Sequence, residues 1–306
     1  MNDAPIGPVL ITGGGGFLGH ALAARLLDAG ERVVTLDLSA DRSGDPRATH
    51  LSGDIRDGEA MLELARSNDI CAIVHLAALV IPACRDNPAL GAEVNVIGHL
   101  NMLDVARRLG IERFLYTSSI AARARPPYDA PVNLYGVWKR ACEDAAKVWF
   151  LDHGVPSVGL RPNVVYGPGR ESGETAAITT AIRAAARQEE YEMPFASRMC
   201  FQYIDEVTDI MVRCLRVVPE GPVVSDLTTR VESTDDLIAA IRSCDPSARI
   251  TPSQTTRPSP PKLDNAPLRQ LIGGWPEVSL HEGVRRTYDH YRQQAGTAAL
   301  RAVTPR

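Results

Sequence analysis

A chain of 306 residues, 44% hydrophobic and 23% charged, can form one large domain or two modest ones and has the composition of an ordinary soluble globular protein. Its formal net charge of -4 excludes the basic footprint of a nucleic-acid or anionic-membrane binder, and no run approaches the roughly 20 apolar residues of a membrane span. Six cysteines stand without a CxxC pair or histidines at metal-ligand spacing, which predicts reduced thiols, no metal, a cytoplasmic location and a small polar molecule as the partner.

The first predicted strand, Val9 to Thr12, ends in Gly13-Gly14-Gly15-Gly16, after which Phe17, Leu18, Ala21, Leu22, Leu26 and Leu27 recur at helical spacing. A strand handed to a helix through glycines lets bare backbone approach a pyrophosphate, and the helix N-terminus adds N–H groups and partial positive charge. A second strand, Arg32 to Leu36, ends at the acidic Asp37, and the polar stretch Ser39 to His50 reads as an exposed loop. Asp54, ahead of the amphipathic segment carrying Met61, Leu62, Leu64 and Ala65, is either a helix N-cap or a ligand. The continuous apolar run from Ile70 to Ala78 reads as a strand buried on both faces, with His75 as a core histidine.

A long helix is predicted from Pro88 to Gly110, with Asn95 either on the surface or buried and bonded to backbone. Strand Arg113 to Thr117 follows and runs into Ser118 and Ser119, and Pro126, Pro127 and Pro131 exclude a regular helix before Leu134. A helix from Leu134 to Gly154 and a strand from Ser157 to Pro162 complete a strand–helix alternation over the first 165 residues, which predicts an α/β fold with a doubly wound parallel sheet. Beyond Gly169 the pattern loosens into an alanine-rich helix from Thr175 to Arg187, a short strand pair near Val223 and Val224, and a helix from Thr234 to Cys244. Thr251 to Pro267 reads as an irregular loop, Leu280 to Arg292 as a helix, and the residues from Gln293 as a disordered polar tail.

Tyr135 and Lys139 lie four apart at a helix start and therefore share a face. A free phenol titrates near ~10, and a neighbouring ammonium favours the phenolate, so such a pair can exchange a proton with a substrate hydroxyl or carbonyl. Ser119, at the end of the preceding strand, is placed to hydrogen-bond the same substrate oxygen, because strand ends in open α/β sheets line the ligand crevice.

These residues together resemble the extended short-chain dehydrogenase/reductases, the family that includes sugar-nucleotide epimerases and dehydratases. The matching motifs are Thr12 to Gly19 (TGxxGxxG), Asp37, Asp54-Ile55, His75 to Ala78, Asn95, Thr117 to Ser119, Tyr135 to Lys139 and Leu160 to Pro168, with further likeness at Phe201 to Val207 and Gly274 to Gly283. The resemblance implies a Rossmann domain over residues 1–165 and 199–226. It also implies a smaller, discontinuous α/β substrate domain over 166–198 and 227–293, and a tail over 294–306. It implies NAD as cofactor, with Gly13, Gly16 and Gly19 forming the pyrophosphate turn and Phe17 and Leu18 donating backbone N–H groups. Asp37 would accept from the adenosine ribose, which disfavours a 2′-phosphate. Asp54 and Ile55 would border the adenine, Leu76, Ala77 and Ala78 would pass beneath the cofactor, and Asn95 and Pro162 would belong to the same site. Lys139 would also grip the nicotinamide ribose, with Ser119, Tyr135 and Lys139 as the catalytic set. A homodimer through the helices around Asn95 to Arg107 and Tyr135 to Phe150 is implied as well.

The chain departs from the sugar-nucleotide pattern in three places. Val164 stands where epimerases carry asparagine, with Asn163 one position early; Met199 aligns with the family's arginine, with Arg198 one place off. A one-residue slip in a strand turns a side chain to the opposite face. The stretch between Ser119 and Tyr135 is also short for a sugar-nucleotide enzyme. The expected activity is therefore hydride transfer between nicotinamide and a hydroxyl-bearing carbon of a sugar, sugar acid or similar small polar substrate. The alternative is an NDP-sugar 4-epimerase or dehydratase that retains NAD. Arg42 is read as a solvated loop residue rather than a contact for a 2′-phosphate.

Overall fold

The computed structural model describes residues 5–39, 44–126, 129–257 and 262–303. Two compact units emerge, one formed by residues 1–162, 207–227 and 263–275, the other by 163–206, 228–262 and 276–306. Arg42 lies outside the described residues.

Among its described residues the first unit is built on a sheet of seven strands. β1 (Val9–Thr12) leads through the glycine turn to α1 (Phe17–Asp28), then β2 (Val33–Asp37), β3 (Thr49–Ser52), α2 (Gly58–Ser67) and β4 (Ala72–His75). After α3 (Ile81–Asp86) and α4 (Pro88–Ala92) a π-helical turn, Glu93–Ile97, leads into α5 (Gly98–Leu109) and β5 (Arg113–Thr117). α6 (Leu134–His153), β6 (Val158–Arg161) and β7 (Val223–Asp226) follow. Every pairing is parallel and the order is β7-β6-β5-β4-β1-β2-β3. The chain therefore winds outward in both directions from β1 and β4, and the crevice at that reversal opens at the strands' C-terminal ends.

All residues of β1 and β4 are buried, as expected of strands covered on both faces. Against one face pack Met61, Leu62 and Ala65 of α2, Met102, Leu103, Val105 and Ala106 of α5 and Ala146 of α6, meeting Leu10, Val34, Ile73 and Phe114 of the sheet. Gly110 and Gly154 end their helices in the left-handed conformation, where a side chain would be strained.

Several elements differ from the sequence reading. Thr49–Ser52 is an edge strand beside β2, although its polar residues read as loop. The strand within the apolar run stops at His75, so Leu76, Ala77 and Ala78 form the loop after β4. Asp57, not Asp54, caps α2 by accepting from the Ala60 N–H. Val223 and Val224 lie in a single edge strand parallel to β6 rather than in a strand pair. A helix, Ala266–Ile272, occupies part of the expected irregular loop, with a proline in its first turn. The last helix, Leu280–Val303, continues through residues read as a disordered tail.

Among its described residues the second unit contains three two-stranded sheets, of which Val164–Tyr166 with Phe201–Tyr203 and Ile250–Pro252 with Tyr191–Met193 are parallel. Because Val164–Tyr166 pairs with Phe201–Tyr203, the unit boundaries fall at Pro162/Asn163 and Glu206/Val207 rather than at 165/166 and 198/199. The helix Ala266–Ile272 also joins the first unit, where the Leu268 N–H donates to Ser225 Oγ on β7 at 3.3 Å.

Candidate active site

The glycine turn is shaped by close backbone approach. Gly13 sits at φ +71°, and a Cβ there would lie 2.7 Å from the Ala77 amide nitrogen in the loop after β4. A Cβ on Gly19 would lie 2.5 Å from the Gly13 carbonyl oxygen. Neither space can be vacated by a rotamer change, because the opposing atoms are backbone. Gly16, extended at φ -85° and ψ 169°, is the N-cap of α1, so the helix opens directly after the glycines with Phe17 and Leu18. Asp37 ends β2 and accepts from the Gly15 N–H at 3.1 Å and the Leu38 N–H at 2.9 Å, tying the glycine turn to the second strand.

A cleft of about 480 Å³ runs along this edge, lined among others by Gly13, Gly16, Asp37, Asp54, Ile55 and Leu76 to Leu79. Asp54 holds Arg56 in a two-pronged ion pair, 2.9 Å to Nε and 2.6 Å to Nη2, and hydrogen bonding from that guanidinium keeps its carboxyl below the usual range. Asn95 is buried, as one of its two sequence readings had it. Its amide accepts from the Leu79 N–H at 2.7 Å and donates to the Leu79 carbonyl at 2.9 Å, so it braces the cleft wall from behind. His75 is a core residue whose Nδ1 lies 2.7 Å from Thr12 Oγ1.

Three strand and helix ends bring the predicted catalytic residues together. Ser119 leaves β5, and its Oγ accepts from the Ala121 N–H at 3.1 Å to cap the short 3₁₀ turn Ile120–Ala122. The Pro162 carbonyl accepts from the Ile120 N–H at 3.1 Å, so Pro162 supports the same turn. Asn133 caps α6 by accepting from the Gly136 N–H at 2.8 Å, which sets Tyr135 in its first turn. Gly136 packs so tightly on the turn that a Cβ there would collide with the Ala121 carbonyl oxygen. One turn along α6, the buried Lys139 donates from Nζ to the Thr117 carbonyl at 2.7 Å and lies 5.8 Å from the Tyr135 ring centroid.

A second polar layer was not anticipated from the sequence. Ser118 Oγ donates to the fully buried Glu143, which also receives a forked contact from Arg161, 2.7 Å from Nε and 2.5 Å from Nη2. Arg161 Nη1 lies 3.7 Å from the buried Asp226, which pairs with Arg123 and accepts from the Asp264 N–H at 2.8 Å. The available signal was spacing: Tyr135, Lys139 and Glu143 are each four apart on one helical face.

In the second unit, Val164 is buried within its strand, whereas Asn163 precedes the strand and donates its N–H to Gln202 Oε1 at 2.9 Å. Met199 is buried and Arg198 exposed, with Nη2 donating to the Val231 carbonyl at 3.3 Å. Thr179 is spent on both the N–H and the carbonyl of Gly167, while Arg170 Nη2 donates to Thr175 Oγ1 at 3.4 Å.

Among the described residues no helix is long and apolar enough to cross a membrane, and no cluster of His, Cys, Asp or Glu forms a metal site. The chain is 28% identical to a UDP-glucose 4-epimerase of Mycolicibacterium smegmatis over 94% of its own length and 99% of that protein. Its fold is similar to that of the Thermotoga maritima UDP-glucose 4-epimerase solved with UDP-glucose, at a TM-score of 0.82 and 22% identity, covering 94% of this chain and 99% of that one. It is equally similar in fold to the L-threonine dehydrogenase of Clostridium difficile, at a TM-score of 0.82 and 20% identity, covering 96% and 99% of the two chains. The model of the NAD dependent epimerase/dehydratase family matches residues 9–225, and this chain belongs to that family.

Proposed function

We propose that this protein is an NAD-dependent oxidoreductase that moves a hydride between the nicotinamide and a hydroxyl-bearing carbon of a sugar, sugar acid or similar small polar substrate. The observation that carries the reading is the assembly of Tyr135, Lys139 and Ser119. Lys139 is held on the Thr117 carbonyl beside the tyrosine ring, and the helix start that bears Tyr135 is pressed onto the turn capped by Ser119.

The residues present fit NAD, because Gly13 and Gly19 leave room only for backbone where a pyrophosphate needs close approach, and the adjoining cleft ends at a carboxylate. Gly13, Gly16 and Gly19, with the N–H groups of Phe17 and Leu18, would hold the pyrophosphate. Asp37 would accept from the adenosine ribose, with Asp54 and Ile55 along the adenine, and Leu76, Ala77, Ala78, Pro162 and the Asn95-braced loop would complete the wall. Bound NAD supplies the hydride acceptor. Tyr135 Oη takes the substrate's hydroxyl proton as the carbon is oxidised and returns it in the reverse direction. Lys139, held on the Thr117 carbonyl beside the Tyr135 ring, would also grip the nicotinamide ribose, and the Ser119 hydroxyl would fix the substrate oxygen. Both losses of polarity noted in the sequence support a substrate without a nucleoside diphosphate. Val164 and Met199 are both buried, and the Arg198 guanidinium is engaged with the Val231 carbonyl. Exposed Ile97, Val148 and Leu151, on or beside the helices expected to pair, support a homodimer, and sedimentation that returns a monomer at micromolar concentration refutes it.

The deciding experiment is NADH formation from NAD with a panel of free polyols, sugars and sugar acids. Turnover by the wild type and its loss in Tyr135→Phe with NADH binding retained are expected, and full turnover by Tyr135→Phe overturns the assigned role. The second reading is an NDP-sugar 4-epimerase, favoured by the similarity to the M. smegmatis UDP-glucose 4-epimerase over nearly the whole chain. Micromolar binding of UDP-sugars without net NAD reduction across the panel selects it over the first.

A further inference from the structure

The segment Thr117-Ser118-Ser119 is held at each residue by a different bond. The Thr117 carbonyl accepts from Lys139, Ser118 Oγ donates to Glu143, and Ser119 Oγ caps the following turn. The first two partners lie on the stripe of α6 that begins with Tyr135. The Ser118 N–H donates to the Leu160 carbonyl at 2.7 Å, continuing the β5–β6 ladder up to the residue before the turn.

We propose that Glu143, acting through Ser118, is a positioning residue for the reaction, setting the distance between the Ser119 turn and the Tyr135–Lys139 face of α6. The proposal rests on the catalytic roles given above. A fully buried carboxylate is a costly way to fasten a helix to a sheet, since well-packed apolar residues do this as well or better. What it adds is directional geometry. Glu143 binds a hydroxyl on the β5 segment with one oxygen and is itself oriented by the guanidinium fork of Arg161 at the end of β6. Arg161 faces Asp226 at the end of β7, and Asp226 pairs with Arg123 in the segment following Ser119. The ends of three adjacent strands and the root of the Ser119–Tyr135 connection thus converge on one charge-balanced group of two carboxylates and two guanidiniums.

The test uses Ser118→Ala and Glu143→Gln in the full chain, with Tyr135→Phe as control and active sites counted by NADH titration. The substrate is whichever member of the sugar-acid and polyol panel the wild type oxidises. Ser118→Ala is expected to lower kcat about tenfold to a hundredfold, with KM and the NADH dissociation constant within about twofold of wild type. Glu143→Gln is expected to lower kcat similarly. Hydrogen exchange of the backbone over residues 116–122 in the NADH complex is expected to quicken in both variants. Wild-type kcat in both variants with an inactive Tyr135→Phe overturns the positioning role while leaving the catalytic reading intact; an active Tyr135→Phe overturns the reading itself. Should Glu143→Gln fail to fold, Ser118→Ala decides alone, and unchanged exchange with unchanged kcat in that variant refutes the proposal.

Discussion

Lowering the pH from ~7.5 to ~5.5 is expected to cost this protein about 3 kcal/mol of folding stability through two buried imidazoles. His75 and His99 are both buried with ring centroids 5.4 Å apart, and His99 stands edge-on to Tyr116 at 4.8 Å. His99 Nε2 and Tyr116 Oη have no hydrogen-bond partner among the described residues. Burial pushes His99 down to about 3, with Lys139 adding repulsion, and drives His75 well below the usual range, with His99 and Lys139 contributing. In the unfolded chain both titrate near ~6.5, so below that value the unfolded state binds more protons and stability falls as pH falls. Integrating over the interval gives about 1–2 kcal/mol for each histidine, a sizeable part of the roughly 5–15 kcal/mol of a typical domain, whereas carboxylates titrate lower and contribute little there. Urea unfolding at the two pH values measures the loss, and His99→Leu is expected to halve it. Equal stability at both pH values, or an undiminished loss in His99→Leu, refutes the reasoning.

Gly136→Ala places a methyl group against the Ala121 carbonyl and must lift the start of α6 off the Ser119 turn. A fall in stability of about 1–3 kcal/mol and an at least tenfold fall in kcat are expected, and wild-type turnover refutes the packing. Cys71 is exposed, whereas burial pushes the Cys142 thiol up to about 11 and the Cys214 thiol up to about 12. A disulfide reagent at mildly alkaline pH is expected to label Cys71 at once and the other two only on unfolding, and rapid labelling of Cys142 in the native protein refutes their burial.

The parallel sheet and the glycine turn were legible because they rest on local signals: apolar runs of strand length, glycines between strand and helix, and Tyr135 and Lys139 one turn apart. Thr49–Ser52 was not legible, since an edge strand half open to water needs no apolar run and becomes a strand by pairing with β2. The helix Ala266–Ile272 was hidden by its own proline, which is harmless in a first turn but reads as a breaker in sequence. Glu143 and Arg161 were missed for a different reason. Each reads as an ordinary surface charge by composition, and only the meeting of β5, β6, β7 and α6 turns them into a buried pair. Asn95 shows the reverse case, where the sequence left two readings open and its bonds to Leu79 decide between them.

The π-helical turn at Glu93–Ile97 has a consequence for how the molecule transmits strain. Its central residue, Asn95, grips Leu79 on the cleft wall with its side chain, while its carbonyl accepts from Cys142 Sγ on α6 at 2.9 Å. The wall that faces the cleft and the helix that bears Tyr135 and Lys139 are therefore bolted to the same residue, with no flexible segment between the two bolts. A load placed on the loop at Leu79 thus has a direct route to the tyrosine's helix through the Asn95 side chain and carbonyl, beside the packing of α3 and α4 on the same helix.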